Sequence, residues 1–261
     1  MKQSVGTVAA TGKPLKGLDR PQGQNIRFSQ TITLGCPKIA SIARPGQFVM
    51  VNCGPDCTLP RPFSVHQVID KERLVLYFAV LEDGKGTDWL SNRRKGDAVS
   101  LFGPLGNGFS VQPSSHNLLL VAGGIGVAPL HFLAEETLKN GHSVTMLYGT
   151  ADETSYPEAL PRLELVRATE DGSVGHHGMV TDLLPKLAGW ADQIFACGPT
   201  PMYQAMSRMP ELRTKPVQVS LEIGMACGRG VCYGCTIKTK QGLKKVCQHG
   251  PVFNLEDILW E

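Results

Sequence analysis

Charge is scarce in this 261-residue sequence, and the two signs nearly balance. Lysine and arginine number 26 against 23 aspartate and glutamate residues, so the formal net charge is +3, and charged residues make up 19% of the chain. A surplus this small provides no extended basic surface for a nucleic-acid backbone or an anionic membrane. We therefore expect neither nucleic acid nor membrane among the partners of this protein.

Uninterrupted apolar runs are also missing. Residues 112–134 carry no charge, but glycine and proline interrupt them, which indicates a strand, a loop and a helix rather than a membrane span. The first ten residues contain no apolar core of secretory-signal length. These absences predict a cytoplasmic protein, and eight cysteines in that compartment are expected as thiols or metal ligands rather than disulfides.

Glycine and proline are plentiful by contrast, with 29 and 18 residues, and they divide the first 110 residues into short apolar segments. Segments of this length between turn residues are typical of antiparallel strands in a barrel or sandwich. The predicted strands are Ile26–Leu34, Gln47–Cys53, Phe63–Ile69, Arg73–Val80 and Asp97–Phe102. One interruption, Thr87–Arg93, is predicted as a short helix.

From Asn117 onward, apolar strands alternate with helical segments, which predicts a parallel sheet of the nucleotide-binding type. The predicted strands are Asn117–Ala122, Ser143–Tyr148, Leu163–Thr169, Gln193–Cys197 and Val217–Leu221. The predicted helices are Pro129–Asn140 and Pro201–Met209, with Pro129 at the first helical position and Gly141 just beyond the end of the first helix.

The chain is thus predicted to contain three units. Residues 1–111 form the β-rich domain, residues 112–216 the α/β domain, and residues 217–261 a small loop-rich unit. The last unit has too little apolar sequence to fold alone, so we expect a bound group to stabilise it.

Four cysteines in the last unit follow the spacing C-x4-C-x2-C-x11-C, at Cys227, Cys232, Cys235 and Cys247. This is the plant-type pattern for a [2Fe–2S] cluster held by four thiolates. Nearby glycines allow a tight loop whose backbone N–H groups point at sulfur. Zinc usually takes two C-x2-C pairs, whereas only one is present, and disulfides need an oxidising compartment. A cluster is therefore favoured over either alternative.

Two short motifs in the β-rich domain have the chemistry of phosphate contacts. Arg61-Pro-Phe-Ser64 offers a forked guanidinium and a hydroxyl around a rigid proline. Gly84-Lys-Gly-Thr87 offers backbone N–H groups at a turn, and Thr87 is a candidate cap for the following helix. Taken singly, the first is equally compatible with a solvated arginine and the second with a plain hairpin turn.

Two further motifs follow strands of the α/β domain. Gly123-Gly-Ile-Gly-Val-Ala-Pro129 lies between a strand and a helix, as a dinucleotide phosphate loop does, but Pro129 replaces the third glycine of the ordinary dehydrogenase fingerprint. Ala196-Cys-Gly-Pro-Thr-Pro-Met202 ends a later strand, where ligand crevices open. Cys197 and Gly198 are expected at that crevice, although a small buried apolar role is the alternative for Cys197.

In this order, R-P-x-S, G-x-G-T, G-G-x-G-x-x-P and C-G-P-x-P-M resemble the ferredoxin–NADP reductase superfamily. The segments Ser220–Glu222, Met225–Cys235 and Val246–Phe253, together with Asp171–Gly175 and Gly178–Asp182, resemble the electron-transfer subunits of NAD-dependent dihydroorotate dehydrogenases. Reductases of aromatic-ring oxygenases differ, since their ferredoxin part is a full domain. The resemblance implies an FAD-binding antiparallel β-barrel, a Rossmann-like nucleotide domain with a parallel sheet, and a small C-terminal [2Fe–2S] domain.

The resemblance also implies a role for each motif residue. Arg61 would meet the FAD pyrophosphate and Ser64 would lie near the isoalloxazine. The other implied FAD contacts are Pro62, Phe63, Leu76, Tyr77, Phe78, Gly86 and Thr87. The implied NAD contacts are Gly124, Gly126, Pro129, Gly198, Pro199 and Met202. The acidic residues Asp152 and Glu153 would repel a 2′-phosphate, which predicts NAD over NADP.

In function, the resemblance implies a partner subunit with its own FMN that oxidises dihydroorotate to orotate in pyrimidine biosynthesis. Electrons would then pass through the cluster and FAD to NAD⁺, in a heterotetramer with two copies of each subunit. FAD is needed between the other two because a flavin exchanges electrons singly or in pairs, whereas NAD takes a pair and the cluster takes one. No side chain of this sequence is predicted to be catalytic, since these cofactors carry the chemistry.

Two alternatives remain at the level of sequence. The same set of cofactors resembles NAD(P)H-linked subunits of hydrogenases, sulfite reductases or ferredoxin oxidoreductases. A redox sensor or zinc module is a different class, but it would have no use for two nucleotide-phosphate motifs. In either electron-transfer interpretation, the cluster loop is expected to fold back beside the flavin barrel, with one side exposed to a partner.

Overall fold

The computed structural model describes residues 2–16, 26–153 and 160–260, and its N-terminal part is an antiparallel barrel. The strands are β1 (Lys2–Thr11), β2 (Leu15–Lys16), β3 (Ile26–Gly35), β4 (Phe48–Val51), β5 (Arg61–Ile69), β6 (Arg73–Leu81) and β7 (Ala98–Leu105). They pair in the order β1-β7-β4-β5-β6-β3-β2, and an additional pairing of β1 with β3 closes six of them into a barrel. The predicted antiparallel barrel is confirmed.

Strand β1 was missed by the sequence prediction. Its residues are small or polar, and only Gly6 and Val8 among them are buried. The strand is held by its backbone instead, because it pairs with β7 from Lys2 to Thr7 and with β3 from Thr7 to Thr11. Pairing on both sides explains why a strand forms here without an alternating apolar pattern.

The second sheet has seven strands in the order β11-β10-β9-β8-β12-β13-β16, all parallel except β16. The strands are β8 (Asn117–Gly123), β9 (Ser143–Thr150), β10 (Glu164–Thr169), β11 (His176–His177), β12 (Gln193–Cys197), β13 (Val217–Ser220) and β16 (Val252–Asn254). The chain leaves β8 in one direction across the sheet and later returns to β12 beside it. Ligands bind at such a switch point, beyond the carboxyl ends of the two strands.

Six α-helices lie within the described ranges, at α1 (Pro37–Ala40), α2 (Lys85–Ser91), α3 (Val127–Lys139), α4 (Leu184–Leu187), α5 (Thr200–Arg208) and α6 (Val246–His249). Short 3₁₀ turns occupy Gly124–Gly126, Val180–Leu183, Pro210–Leu212 and Leu255–Asp257. In the described parts of the chain, no helix combines the length and the apolarity that crossing a membrane requires.

Two predicted helix starts need correction. Helix α3 begins at Val127, so Pro129 is its third residue rather than its first. A proline is still accommodated there, because the N–H groups of the first turn have no partner within the helix. Helix α2 begins at Lys85 with Gly84 as its N-cap, so Thr87 lies inside the helix and is not its cap. Gly141, with φ of 87°, follows α3 as predicted.

The C-terminal residues add a hairpin, β14 (Thr236–Thr239) with β15 (Gly242–Lys245), before helix α6. Strand β16 then returns to the second sheet and pairs antiparallel with β13. The cysteine-bearing segment is thus inserted between two strands of one sheet. The domain limits at 111/112 and 216/217 stay a prediction.

The barrel and the second sheet meet where helix α3 packs on strand β5. His66 of β5 and His131 of α3 stack with ring centroids 4.2 Å apart, and both are buried. His66 Nδ1–H donates to the carbonyl of Ala128 at 3.0 Å. Burial lowers the pKa of His131 to about 4, and burial together with the His131 ring lowers the pKa of His66 well below its ordinary value. Both rings are therefore neutral near pH 7.

This contact predicts acid lability. The native state keeps these rings neutral, whereas the unfolded chain binds protons below an ordinary histidine pKa of about 6.5. Their contribution to stability is therefore complete above about pH 6.5 and declines as the pH falls. For His131 alone, the loss at pH 5.5 is on the order of 1 kcal/mol.

We expect the urea midpoint to fall between pH 7.5 and 5.5, and His131→Phe, which keeps a ring in the stack, to reduce this fall. His177→Gln, at an exposed histidine, is the matched control and should leave the fall unchanged. An undiminished fall in His131→Phe would contradict the assignment.

Candidate functional site

Strands β5 and β6 pair along only part of their length, and this leaves an opening in the barrel wall. Their pairing runs from Ile69 opposite Arg73 to Val65 opposite Leu76. Beyond that point the first residues of β5, Arg61–Ser64, pair only with β4, and the last residues of β6 pair only with β3. Two free strand edges therefore face each other where the sequence predicts FAD. Their unpaired backbone groups suit the polar groups of a dinucleotide.

The two phosphate motifs converge beside this opening. A Cβ atom added at Gly86 would lie 3.2 Å from Arg61 Cγ and 3.5 Å from Arg61 Nε. A side chain at Gly86 would therefore crowd the Arg61 stem, whose guanidinium donates to the Leu59 carbonyl at 2.9 Å. Thr87 is at the same turn, but its hydroxyl donates to the Gly84 carbonyl at 3.1 Å. Together the motifs form one surface that offers the positive charge of Arg61 and the N-terminus of α2. Both features favour binding of a pyrophosphate.

The side chains of the other predicted flavin contacts lie on two different sides of the barrel wall. Phe63 and Phe78 point into the barrel core with their rings 5.5 Å apart, and Leu76 is buried there too. Their side chains can therefore support the flavin site only from the core side of the barrel wall. Tyr77 faces the opposite way, toward the second domain, and its hydroxyl lies 2.7 Å from Ser29 Oγ.

Ser64 and Pro62 lie on the half of β5 that pairs only with β4, opposite Phe48 and Met50, and both are half-buried. Their positions are compatible with the predicted flavin contacts.

The two nucleotide loops of the second sheet pack backbone against backbone at the switch point. A Cβ atom added at Gly126 would overlap the carbonyl group of Cys197, and one added at Gly123 would lie 2.7 Å from Pro199 Cδ. Any side chain at Gly126 would push the loops after β8 and β12 apart. The glycines therefore set the width of this crevice, and the structure brings together the two motifs predicted to bind NAD.

The remaining predicted NAD contacts line the same region. Met202 is buried in the first turn of α5, with its sulfur within 3.0 Å of a Cβ atom added at Gly198, while Pro199 is exposed at the crevice. Gly124 has φ of 54° and open space on its side-chain side. Pro129 is buried below the loop.

Cys197 corrects an expectation, because its side chain is wholly buried rather than facing the crevice. Burial, reinforced by the Glu222 carboxylate, raises the pKa of this thiol well above its ordinary value, so it stays protonated.

Tyr203 was missed by sequence reasoning. Its buried hydroxyl accepts a hydrogen bond from Gly198 N–H at 2.8 Å and donates to the carbonyl of Ser220 at 2.7 Å. It thereby joins the C-G-P loop to the strand that leads into the cysteine segment. Only its position one residue after Met202 could have drawn attention to it.

The four predicted cluster cysteines interact with one another. Cys227 interacts with Cys232 and Cys247, and Cys247 also interacts with Cys235, whose Sγ accepts a hydrogen bond from Cys247 N–H at 3.5 Å. No group of three or more histidine, cysteine or acidic side chains in the described residues closes around a single metal ion. The spacing of the four cysteines suits a two-iron cluster, in which each iron takes two thiolates.

Backbone N–H groups of the cysteine loop point at sulfur. Arg229 N–H donates to Cys227 Sγ at 3.3 Å. Burial alone would raise the pKa of Cys227, but the N–H of Arg229, the Cys232 thiol and the N–H groups of Cys232 and Val231 lower it to about 6. The loop thereby favours the thiolate that binds iron. Gly228, with φ of 62°, permits this turn against Met50, where a Cβ atom would lie 2.6 Å from Cγ.

The cysteine loop folds back on the barrel, as expected. Cys235 and Cys247 share a buried cluster with four barrel residues, namely Phe48, Met50, Phe102 and Leu105. Phe48 pairs directly with Ser64. The cysteine loop therefore packs on the side chains of β4, and the predicted flavin strand is the neighbour of β4 in the sheet, about 4.8 Å away.

Asn107 fixes the segment after Cys247 to the barrel, and no motif pointed to it. Its side-chain amide donates to the carbonyls of His249 at 3.2 Å and Val252 at 2.7 Å, and its Oδ1 accepts from Val252 N–H at 3.2 Å. Here a single side chain bonds to the backbone as a neighbouring strand would. Such a contact has no characteristic spacing in the sequence by which it could be recognised.

One side of the cysteine loop is open. Cys232 is exposed, and so are Val231, Tyr233 and Leu243, which are 72%, 66% and 70% accessible. Lys245 joins the loop to the hairpin, since its ammonium donates to the Gly230 carbonyl at 2.8 Å and lies 4.4 Å from the Tyr233 ring centroid. We call Val231, Tyr233 and Leu243 the apolar patch. Three exposed apolar side chains on this loop and the adjoining hairpin are compatible with a protein-binding surface.

Comparison with known proteins gives a consistent result. Residues 222–259 match the family model for the iron–sulfur cluster binding domain of dihydroorotate dehydrogenase B. The chain is 37% identical over 221 residues to the electron transfer subunit of dihydroorotate dehydrogenase B (NAD⁺) from Caldanaerobacter subterraneus subsp. tengcongensis, covering 83% of this chain and 87% of that one. The corresponding subunit from Clostridium acetobutylicum is 40% identical over 211 residues, covering 80% and 84%.

Among solved structures, the chain is similar to one from the NADH-dependent reduced ferredoxin–NADP oxidoreductase, studied for flavin-based electron bifurcation. The TM-score is 0.82 at 27% identity, and the match covers 98% of this chain and 90% of that one. The similarity extends over the barrel, the second sheet and the cysteine segment together.

The contact at Gly126 generates a prediction. Gly126→Ala should separate the two loops and weaken NADH binding by about tenfold or more, since an added methyl in a packed site forces backbone shifts worth about 1–3 kcal/mol. The dependence of the FAD reduction rate on NADH concentration, followed by stopped-flow flavin absorbance, measures the effect. Gly189→Ala, at a glycine whose Cβ atom would meet nothing within 4 Å, is the matched control. Equal affinity in both variants would reject this crevice as the nucleotide site.

Proposed function

The chain belongs to the family of electron transfer subunits of dihydroorotate dehydrogenase B (NAD⁺), and on this premise we propose how it connects a dihydroorotate-oxidising FMN subunit to NAD⁺. The proposal rests mainly on one observation, that the three predicted sites lie next to one another on neighbouring strands of the barrel wall. The cysteine loop packs on β4, the opening for FAD borders β5, and helix α3 of the nucleotide loop packs on β5 as well.

When bound, the [2Fe–2S] cluster supplies one-electron transfer, FAD exchanges electrons singly or in pairs, and NAD⁺ accepts a hydride. The residues of this chain hold and separate these groups. Four cysteines hold the cluster, Arg61, Gly86 and the free edges of β5 and β6 hold FAD, and the loops after β8 and β12 hold NAD.

No side chain at these sites has the arrangement of a general acid, base or nucleophile for oxidising dihydroorotate. Cys197 and Tyr203 are the reactive groups nearest the crevice, and burial raises the pKa of each well above its ordinary value. Both are therefore neutral and enclosed. This supports a subunit that transfers electrons while its partner performs the substrate chemistry.

The partner is the FMN-containing catalytic subunit of a dihydroorotate dehydrogenase, in an assembly that we propose to hold two copies of each. We further propose a cytoplasmic location, where pyrimidine biosynthesis supplies dihydroorotate. NAD is favoured over NADP because Asp152 and Glu153 follow β9 at the same sheet edge as the nucleotide loops. Their negative charge opposes a 2′-phosphate there.

The ferredoxin-linked alternative shares this architecture, as the similarity to the NADH-dependent ferredoxin–NADP oxidoreductase chain indicates. The relatives at 37–40% identity favour the dihydroorotate interpretation. The electron donor to the cluster distinguishes the ferredoxin-linked interpretation from the dihydroorotate interpretation, since only the latter uses dihydroorotate.

Co-expression with the FMN subunit should yield a protein with flavin and [2Fe–2S] absorption that reduces NAD⁺ when dihydroorotate is added without oxygen. Cys232→Ser should lose the cluster bands and this activity, because it removes one of two thiolates on an iron, while NADH-dependent dye reduction through FAD persists. Cys57→Ser, outside the cysteine loop, is the control. A colourless zinc-loaded protein, or reduction driven by ferredoxin but not by dihydroorotate, would reject the proposal.

The apolar patch is expected to contact the FMN subunit. Leu243→Asp places a charge in that contact and should weaken the complex by about tenfold or more, which corresponds to about 1.4 kcal/mol. Sedimentation of mixed subunits measures this change, and dye reduction by NADH should not change. Val5→Asp, at an equally exposed apolar residue on β1, is the matched control. Identical affinities for both variants would place the partner elsewhere.

A further inference from the structure

A bulge in the flavin strand directs a histidine at the nucleotide loop. In the pairing of β5 with β6, Val65 lies opposite Leu76 and Gln67 lies opposite Val75, so His66 is the extra residue. A bulge re-aims a side chain. Val65 continues into the barrel core, and the neighbouring His66 side chain turns outward toward helix α3.

The group that His66 contacts belongs to the nucleotide loop itself. Its Nδ1–H donates at 3.0 Å to the carbonyl of Ala128, which lies between Gly126 and Pro129. Since a carbonyl can only accept, the proton of this bond is on Nδ1. Ser64, predicted at the isoalloxazine, is two residues before His66. One buried hydrogen bond therefore joins the flavin strand to the first turn of the nucleotide helix.

The surroundings hold this bond in one geometry. The His131 ring stacks on His66 at 4.2 Å with an interplanar angle of 25°, and the Tyr77 ring lies 5.5 Å away on the other strand of the flavin opening. Beyond them, Gln67 Nε2 donates to Glu135 at 3.4 Å, and Lys139 pairs with Glu135 at 3.0 Å. His66 is 1% exposed and His131 is 0% exposed, so water does not compete for the contact.

We propose that His66 is a positioning residue for electron exchange between FAD and NAD. Its hydrogen bond to Ala128 fixes the nucleotide loop relative to the flavin strand, and the His131 ring keeps the imidazole aligned. The proposal rests on the proposed function, because it takes FAD to lie along β5 and NAD at the loop after β8. Transfer between the two is sensitive to their separation, so a loop that is free to move would slow it.

The test separates the hydrogen bond from the ring. His66→Phe keeps an aromatic ring but removes the donor, whereas His66→Asn loses the ring and keeps an amide N–H near the position of Nδ1. In the complex with the FMN subunit, we expect His66→Phe to slow NADH-dependent FAD reduction by about tenfold or more at saturating NADH. His66→Asn should restore most of the rate, and His131→Phe, which retains the bond, should remain close to wild type.

Two further measurements distinguish positioning from general damage. Dihydroorotate-dependent reduction of FAD should be unchanged in His66→Phe, because that route does not cross the contact between β5 and α3. Without NADH, hydrogen–deuterium exchange of the peptide spanning residues 124–132 should be faster in His66→Phe and near wild type in His66→Asn. If His66→Phe fails to assemble with FAD, His66→Ala takes its place in the same comparison.

A wild-type rate in His66→Phe, equal slowing of both routes, or no rescue by asparagine would overturn the proposal. Failure of the proposed function would look different, because the wild-type complex itself would then show no dihydroorotate-dependent reduction of FAD.

Discussion

Incomplete pairing between β5 and β6 is the feature on which all three proposed cofactor sites depend. The two strands pair only as far as Val65 and Leu76, and the free half of β5 still pairs with β4 on its other side. One strand thus borders the flavin opening on one edge and supports the cysteine loop through its neighbour on the other. Its bulge at His66 meets the nucleotide helix. The three proposed sites are therefore connected through β5 and its neighbour β4.

The opening also makes the flavin part of the fold. Unpaired backbone groups inside a barrel wall are costly unless a partner satisfies them. FAD bound along both edges, as proposed, would supply that partner, and its binding would stabilise the barrel by mass action. The cysteine loop is similar, since residues 225–234 form no helix or strand and depend on contacts with residues such as Met50, Gln248 and Lys245. In both places the protein leaves an incomplete structure that a cofactor completes.

The sequence could predict elements that bury an apolar face and motifs that contain glycine, because each leaves a local pattern. The barrel, the parallel sheet and the cysteine spacing are of this kind. Strand β1 could not be predicted, since its stability comes from pairing with two distant strands. Asn107, Tyr203 and His66 could not be found either, because each is a single polar side chain whose partner is a backbone group far away in the chain.

Pro129 shows how a departure from a fingerprint follows from the tertiary structure. In an ordinary dinucleotide fold, the third glycine allows the helix to pack closely on its strand. Here the closest approach is made by Gly126 against the Cys197 carbonyl, between two loops. The position of the third glycine therefore no longer requires glycine. Proline is tolerated there because the N–H that it lacks has no intrahelical partner in the first turn. The neighbouring carbonyl of Ala128 is bound by His66 from outside the domain, so the start of this helix is fixed by the flavin barrel rather than by its own glycines alone.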